Sequence, residues 1–143
     1  MGYGGYTYNI LKSNAPKHVD LISIDPNQNK IYNNIGIKTI KKFDLFKYHK
    51  LIEKESITAL SEIIIEHGRN SIDLIFINEI NNYENILYDI TLCDFLLDIN
   101  GVILLLITDK NKIKLSINYL KLTKKYNIIY SDKKLIVYHK ILL

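Results

Sequence analysis

Three short apolar runs, each closing on a polar residue, constrain this chain more than any other feature: "VDLISIDP" (19–26), "IDLIFINE" (72–79) and "GVILLLITD" (101–109). Apolar runs of this length, without polar alternation, suit strands buried on both faces of a parallel sheet. Helical spacing fills the intervals. Tyr83, Ile86, Leu87 and Ile90 fall at i, i+3, i+4 and i+7, so one stripe faces a sheet; Ile113, Ile117 and Leu120 repeat the pattern. The stretch from Phe46 to Glu66 carries Leu51, Ile52, Ile57, Leu60, Ile63 and Ile64, and is expected as one helix stopped by Gly68. Strands alternating with helices imply βαβ units and an open α/β sheet covered on both sides. "NIIYS" and "LIVYHKIL", joined by "DKK", have hairpin spacing. The expected architecture is therefore a mostly parallel α/β sheet finished by an antiparallel hairpin, in a single domain over residues 1–143.

Composition narrows the function. Hydrophobic residues make up 48% and charged ones 24%, which excludes a disordered polyampholyte. The net charge of +4 is carried by lysine, with Arg69 the only arginine. A specific nucleic-acid reader uses arginine for bidentate contacts, so no nucleic-acid partner is expected beyond weak polyanion attraction. Lys110, Lys112, Lys114, Lys121, Lys124 and Lys125 read as a solvated face. One cysteine, Cys93, excludes an internal disulfide and a cysteine-rich zinc site, and its apolar surroundings read as inert core. His18, His49, His67 and His139 are scattered, with no pair at ligand spacing. The longest apolar run falls far short of the ~20 residues of a membrane span. A soluble, cytoplasmic protein is expected. The excess of Ile, Asn, Lys and Tyr implies an AT-rich genome, such as that of a large DNA virus or a protist.

Read in order, the landmarks resemble a class I S-adenosylmethionine-dependent methyltransferase, in the branch acting on small molecules and sugars. The family's glycine loop, G-x-G-G-x-T, is matched by Gly2, Gly4, Gly5 and Thr7 in "GYGGYT". The acid closing its second strand is matched by Asp25 in "SIDPNQ", and its fourth strand by "DLIFIN" (73–78). "NNYENILYD" is similar to the family's "HSYENVLED", and "NGVILLLITD" to its fifth strand ending in Asp. The terminal hairpin belongs to the same pattern.

The resemblance implies a Rossmann-like methyltransferase fold that transfers the cofactor's methyl group to a hydroxyl or amine of a small molecule or sugar. It implies that Gly2, Tyr3, Gly4, Gly5 and Thr7 cradle S-adenosylmethionine, that Asp25 holds the ribose, and that Asn78 lies near the methionine end. Asn81, Tyr83 and Asp109 would border the substrate. Glycines let backbone approach a ligand closely, and the N–H groups of the following helix suit a carboxylate. Each residue also has a plainer reading: Asp25 as a turn residue before Pro26, Asn78 satisfying backbone at a strand end, Tyr83 as core, and Asp109 as a helix cap.

Two departures qualify the resemblance. Asn78 stands where metal-dependent relatives carry Asp, and Asn81 where they carry His, so neither a metal nor a histidine base is expected. The family's first, central strand has no counterpart before Gly2. Either the chain is a fragment of a longer reading frame, or the gene has lost the strand, in which case "LISI" would close up beside "LIFI" or another chain, a second copy included, would fill the gap. A catalytically inactive relative kept for assembly is accordingly the rival reading. A lysine-rich nucleic-acid accessory module is the most distant one.

Overall fold

The computed structural model describes residues 1–14, 19–78, 83–107 and 110–142, with backbone alone at 14, 83–85, 110–113 and 115. The chain divides into two compact units, residues 1–59 and 60–143.

In the first unit, Gly4 (φ 87°) turns the chain into helix α1 (Gly5–Asn14), and the Tyr8 N–H closes onto the Gly4 carbonyl at 2.8 Å. Strand β1 (Leu21–Ile24) is followed by helix α2 (Ile35–Lys42) and strand β2 (His49–Ile52). The two strands pair in parallel, from Leu21 opposite His49 to Ile24 opposite Ile52. Parallel neighbours need a crossover, and α2 supplies it. Leu11 of α1, Ile40 of α2 and Leu45 form the buried centre of this unit.

The expected helix over 46–66 is corrected here. Phe46–Tyr48 is one 3₁₀ turn, His49–Ile52 is β2, and the helix (α3, Ser56–His67) begins only at Ser56. A four-residue segment beside a helix, with Leu51 and Ile52 its two apolar residues, fits the helical spacing as well as a strand, and only a ladder partner settles which forms. β1 is that partner. The stop is as expected: Gly68 adopts φ 80°, and its N–H reaches the Ile64 carbonyl at 2.9 Å.

The second unit holds strand β3 (Ile72–Ile77), helix α4 (Tyr83–Leu96), strand β4 (Leu97–Leu106), helix α5 (Lys110–Thr123) and the hairpin β5 (Tyr126–Ser131) and β6 (Leu135–Lys140). The strand order is β3-β4-β6-β5. β3 and β4 run parallel, and β6 is antiparallel to both β4 and β5. The helical stripes do what their spacing requires: Ile86 and Ile90 of α4 and Leu120 of α5 join Ile103, Leu105, Ile136 and Tyr138 in one buried cluster. Cys93 is buried, as expected of core, and burial pushes its thiol pKa up.

One expectation about the apolar runs needs correction. β1 and β3 are not buried on both faces: β1 is half-buried throughout, and β3 exposes Asp73 and Leu74. Among the described residues, each has a ladder partner on one side only. β4, flanked by strands on both sides, buries Gly101, Ile103 and Leu105 on one face, while Val102, Leu104 and Leu106 stay half-buried. Within its own unit, β1 pairs with β2, and β3 pairs with β4.

A buried polar cluster that no sequence motif marks ties α4 to the hairpin. Asp94 is 7% exposed and accepts the Tyr126 hydroxyl at 2.6 Å and the Lys125 ammonium at 3.2 Å. Lys140, 1% exposed, donates to the Asp94 and Leu97 carbonyls at 2.7 Å each and lies 3.3 Å from the Asp94 carboxylate. Lys125 thus leaves the expected solvated face, whereas Lys114, Lys121 and Lys124 are exposed.

Candidate functional site

The glycine loop and Asp25 do meet, inside the first unit. Asp25 follows β1, and its N–H donates to the Ile52 carbonyl at 3.1 Å, which holds the carboxyl ends of β1 and β2 side by side. Carboxyl ends of this kind are where open α/β sheets bind ligands. Gly2 adopts φ 52° and points its N–H at Asp25 Oδ2, 2.7 Å away. The Asn27 N–H donates to Oδ1 at 2.9 Å, the turn that "DPN" favours. Gln28, wholly buried, donates through Nε2 to Asp25 Oδ2 at 3.0 Å and to the Gly2 carbonyl at 2.9 Å. Its Oε1 accepts the Gly36 N–H at 3.0 Å. The Met1 amine lies 3.4 Å from Oδ2.

The glycines serve this packing. A Cβ on Gly36 would sit 2.7 Å from the Gly2 carbonyl oxygen, and one on Gly4 would sit 2.9 Å from the Gly36 Cα. Burial pushes the Asp25 carboxyl upward, but the hydrogen bonds from Gly2, Asn27 and Gln28 and the nearby amine outweigh it and hold its pKa below the usual carboxylate value.

This arrangement does not fit a ribose diol. The carboxylate that would accept the hydroxyls is 4% exposed and already engaged by three donors of its own chain and by the amine. Tyr3 stands exposed with its ring edge-on to Tyr32, Gly5 is the exposed first residue of α1, and Thr7 is buried. In the second unit, Asn78 is exposed just after the carboxyl end of β3, and Tyr83 opens α4. Asn81, Asp109 and the side chain of Tyr83 lie outside the described residues. Among the described residues, no three His, Cys, Asp or Glu side chains group as metal ligands.

Sequence reasoning missed Gln28, whose only local signal is its place in the turn after Asp25, and Gly36, at the start of α2. It also missed His49, because β2 was expected as helix. His49 Nε2 pairs with Ser23 Oγ at 2.8 Å across the β1–β2 ladder, while its buried Nδ1 has no partner among the described residues. Burial first, and then the positive amine, lower its pKa to about 4, so the ring is neutral at pH 7. His49 lines an open groove of about 630 Å³ with Lys38, Lys41, Phe46, Lys50 and Glu53. Neither Asp25 nor the glycine loop borders it.

Solved structures place this architecture. A protein of Clostridium thermocellum, provisionally assigned as an rRNA methylase, superposes with a TM-score of 0.74 at 15% identity over 99% of this chain and 83% of its own. A precorrin-6y C5,15-methyltransferase from Geobacter metallireducens gives 0.70 at 16% identity, over 99% of this chain and 77% of its own. A methyltransferase from Geobacter sulfurreducens gives 0.68 at 11%, over 99% and 67%. The fold is that of the class I S-adenosylmethionine-dependent methyltransferases. Identities this low carry the fold and nothing finer. The chain spans only 62% of another match, a protein of Corynebacterium glutamicum. No protein-family model matches the sequence, and no curated protein matches it significantly. No helix among the described residues is long and apolar enough to cross a membrane.

Proposed function

We propose that this methyltransferase-fold chain, in the form described here, works as an interaction module and not as a methyl-transferring enzyme. One observation carries the reading: the Asp25 carboxylate, at the position the family uses for ribose, is turned inward and engaged by Gly2, Asn27 and Gln28. Opening it would break charge-assisted hydrogen bonds worth about 1.5–3 kcal/mol each. A cofactor contact there would have to replace them.

A second reading is favoured by the fold and by the meeting of the glycine loop with the carboxyl end of β1. In it Gly2, Tyr3, Gly4, Gly5, Thr7, Asp25 and Asn78 hold S-adenosylmethionine. Asn81, Tyr83 and Asp109 then border a small-molecule or sugar acceptor. The cofactor would supply an electrophilic methyl group, and the residues would contribute placement rather than acid–base chemistry, without a metal.

Calorimetry with S-adenosylmethionine separates the two. The module reading expects no heat at millimolar cofactor. Micromolar binding, about −8 kcal/mol, that Asp25→Ala weakens by ~100-fold and Asn78→Ala weakens in parallel would establish the enzyme reading instead. Far-UV circular dichroism confirms that both variants fold.

A further inference from the structure

Positive charge gathers in one stretch of the first unit. Residues 38–50, "KTIKKFDLFKYHK", carry five lysines against one carboxylate, Asp44, and that excess of four equals the net charge of the whole chain. Lys38, Lys41, Lys42, Lys47 and Lys50 are all exposed. Asp44 is taken by Lys47, 3.8 Å away. Lys38 donates to the Asn33 carbonyl at 3.1 Å, while Lys41 and Lys42 lie over the rings of Phe46 and Phe43. Among the described residues, none of these three lysines is ion-paired.

Folding brings part of the stretch to the open groove of about 630 Å³ beside His49. Lys38 and Lys41 come from α2, Lys50 from β2 and Phe46 from the 3₁₀ turn between them, and Glu53 is the one acid in the lining. Phe46 is 44% exposed, and the Lys41 ammonium sits 4.7 Å from its ring centroid, so cation and ring are presented together.

Three exposed ammonium groups in an open groove hold a small anion poorly, because water and salt screen each contact. A polyanion that spans them adds the contacts in series. The exposed ring selects among polyanions. An unpaired base has a free face to stack on it, whereas a duplex covers those faces. Lysine meets phosphate as a point charge and reads no sequence. The scarcity of arginine therefore argues against a base-specific reader and not against this kind of binder.

We infer that this groove binds single-stranded nucleic acid, with Lys38, Lys41 and Lys50 contacting phosphates and Phe46 stacking on a base. The inference goes beyond the module reading and stands whether or not S-adenosylmethionine binds, since neither Asp25 nor the glycine loop borders the groove.

Fluorescence anisotropy of a short labelled oligothymidine with the full chain tests it. Binding is expected at low salt, with log affinity falling against log salt at a slope of about −2, for three phosphates at ~0.7 each. Lys38→Gln combined with Lys41→Gln should cut the slope to about −0.7. Phe46→Leu should weaken binding about 5- to 150-fold and leave the slope unchanged, which separates stacking from charge. Lys121→Gln combined with Lys124→Gln, which removes exposed lysines of the second unit, should change neither. Absence of binding overturns the inference, as does Phe46→Leu without effect. A loss at Lys121 and Lys124 equal to that at Lys38 and Lys41 also overturns it, because it marks diffuse attraction. So does a duplex of the same length, or heparin, bound as tightly as the single strand. Far-UV circular dichroism checks folding; if Phe46→Leu does not fold, the lysine pairs and the duplex comparison decide.

Discussion

Gln28 is the residue on which the glycine-loop network turns. It is wholly buried and joins three backbone segments at once: the loop at Gly2, the strand end at Asp25 and the start of α2 at Gly36. Replacing it with Leu keeps the volume but leaves the Gly36 N–H and the Gly2 carbonyl without their partner. The expected cost is about 1–3 kcal/mol per orphaned group, read as a lower midpoint in urea unfolding. His49 gives a pH signature with a definite sign. Its folded pKa of about 4 lies below the ordinary 6.5, so the unfolded chain binds the extra proton between those values. Stability therefore falls as pH drops from 6.5 toward 4, and His49→Gln should flatten that part of the curve in thermal melts. Neither role was legible in the sequence. A glutamine in a turn and a histidine with no neighbour at ligand spacing carry no local signal, because their partners lie 8 and 26 residues away.

Among the elements, the α4–hairpin contact rests on buried charge. Asp94→Ala would strand the Lys140 ammonium in a site 1% exposed, at a cost of about 3–5 kcal/mol. Lys140→Met, which removes the charge and keeps the stem volume, should cost less; paired chemical denaturation curves order the two. Burial pushes the Asp94 carboxyl up, yet Tyr126, Lys125 and Lys140 hold its pKa below the ordinary value. Its contribution is thus present above about pH 4 and lost as pH falls through the depressed folded value. An acid melt of the parent chain should be steeper than that of Asp94→Asn. At α2, Gly36→Ala would drive a Cβ to 2.7 Å from the backbone oxygen of Gly2, and overpacking of this kind costs about 1–3 kcal/mol. The element the sequence misplaced is β2. "HKLI" has no turn signal before it and a helix soon after it, so local pattern favours a continuous helix, and its identity depends on β1.

At the scale of the whole molecule, the two units differ in how their sheets are held. Among the described residues, β1 and β2 form a two-stranded parallel pair, whereas β4 and β6 each have ladder partners on both sides. Two-stranded sheets are marginal by themselves. Hydrogen exchange should therefore protect the amides of β4 and β6 well beyond those of β1 and β2, measured by mass spectrometry on the intact chain; equal protection would contradict it. The α/β class, the helical stripes of α4 and α5, the Gly68 stop and the closing hairpin were all decided by the sequence, because each rests on periodicity or turn chemistry within a dozen residues. Which strands pair, which apolar runs stay half exposed, where Lys140 finds its carboxylate and whether Asp25 faces inward were decided only by tertiary structure. Those outcomes depend on partners brought together across the chain, and no local pattern records who the partner is.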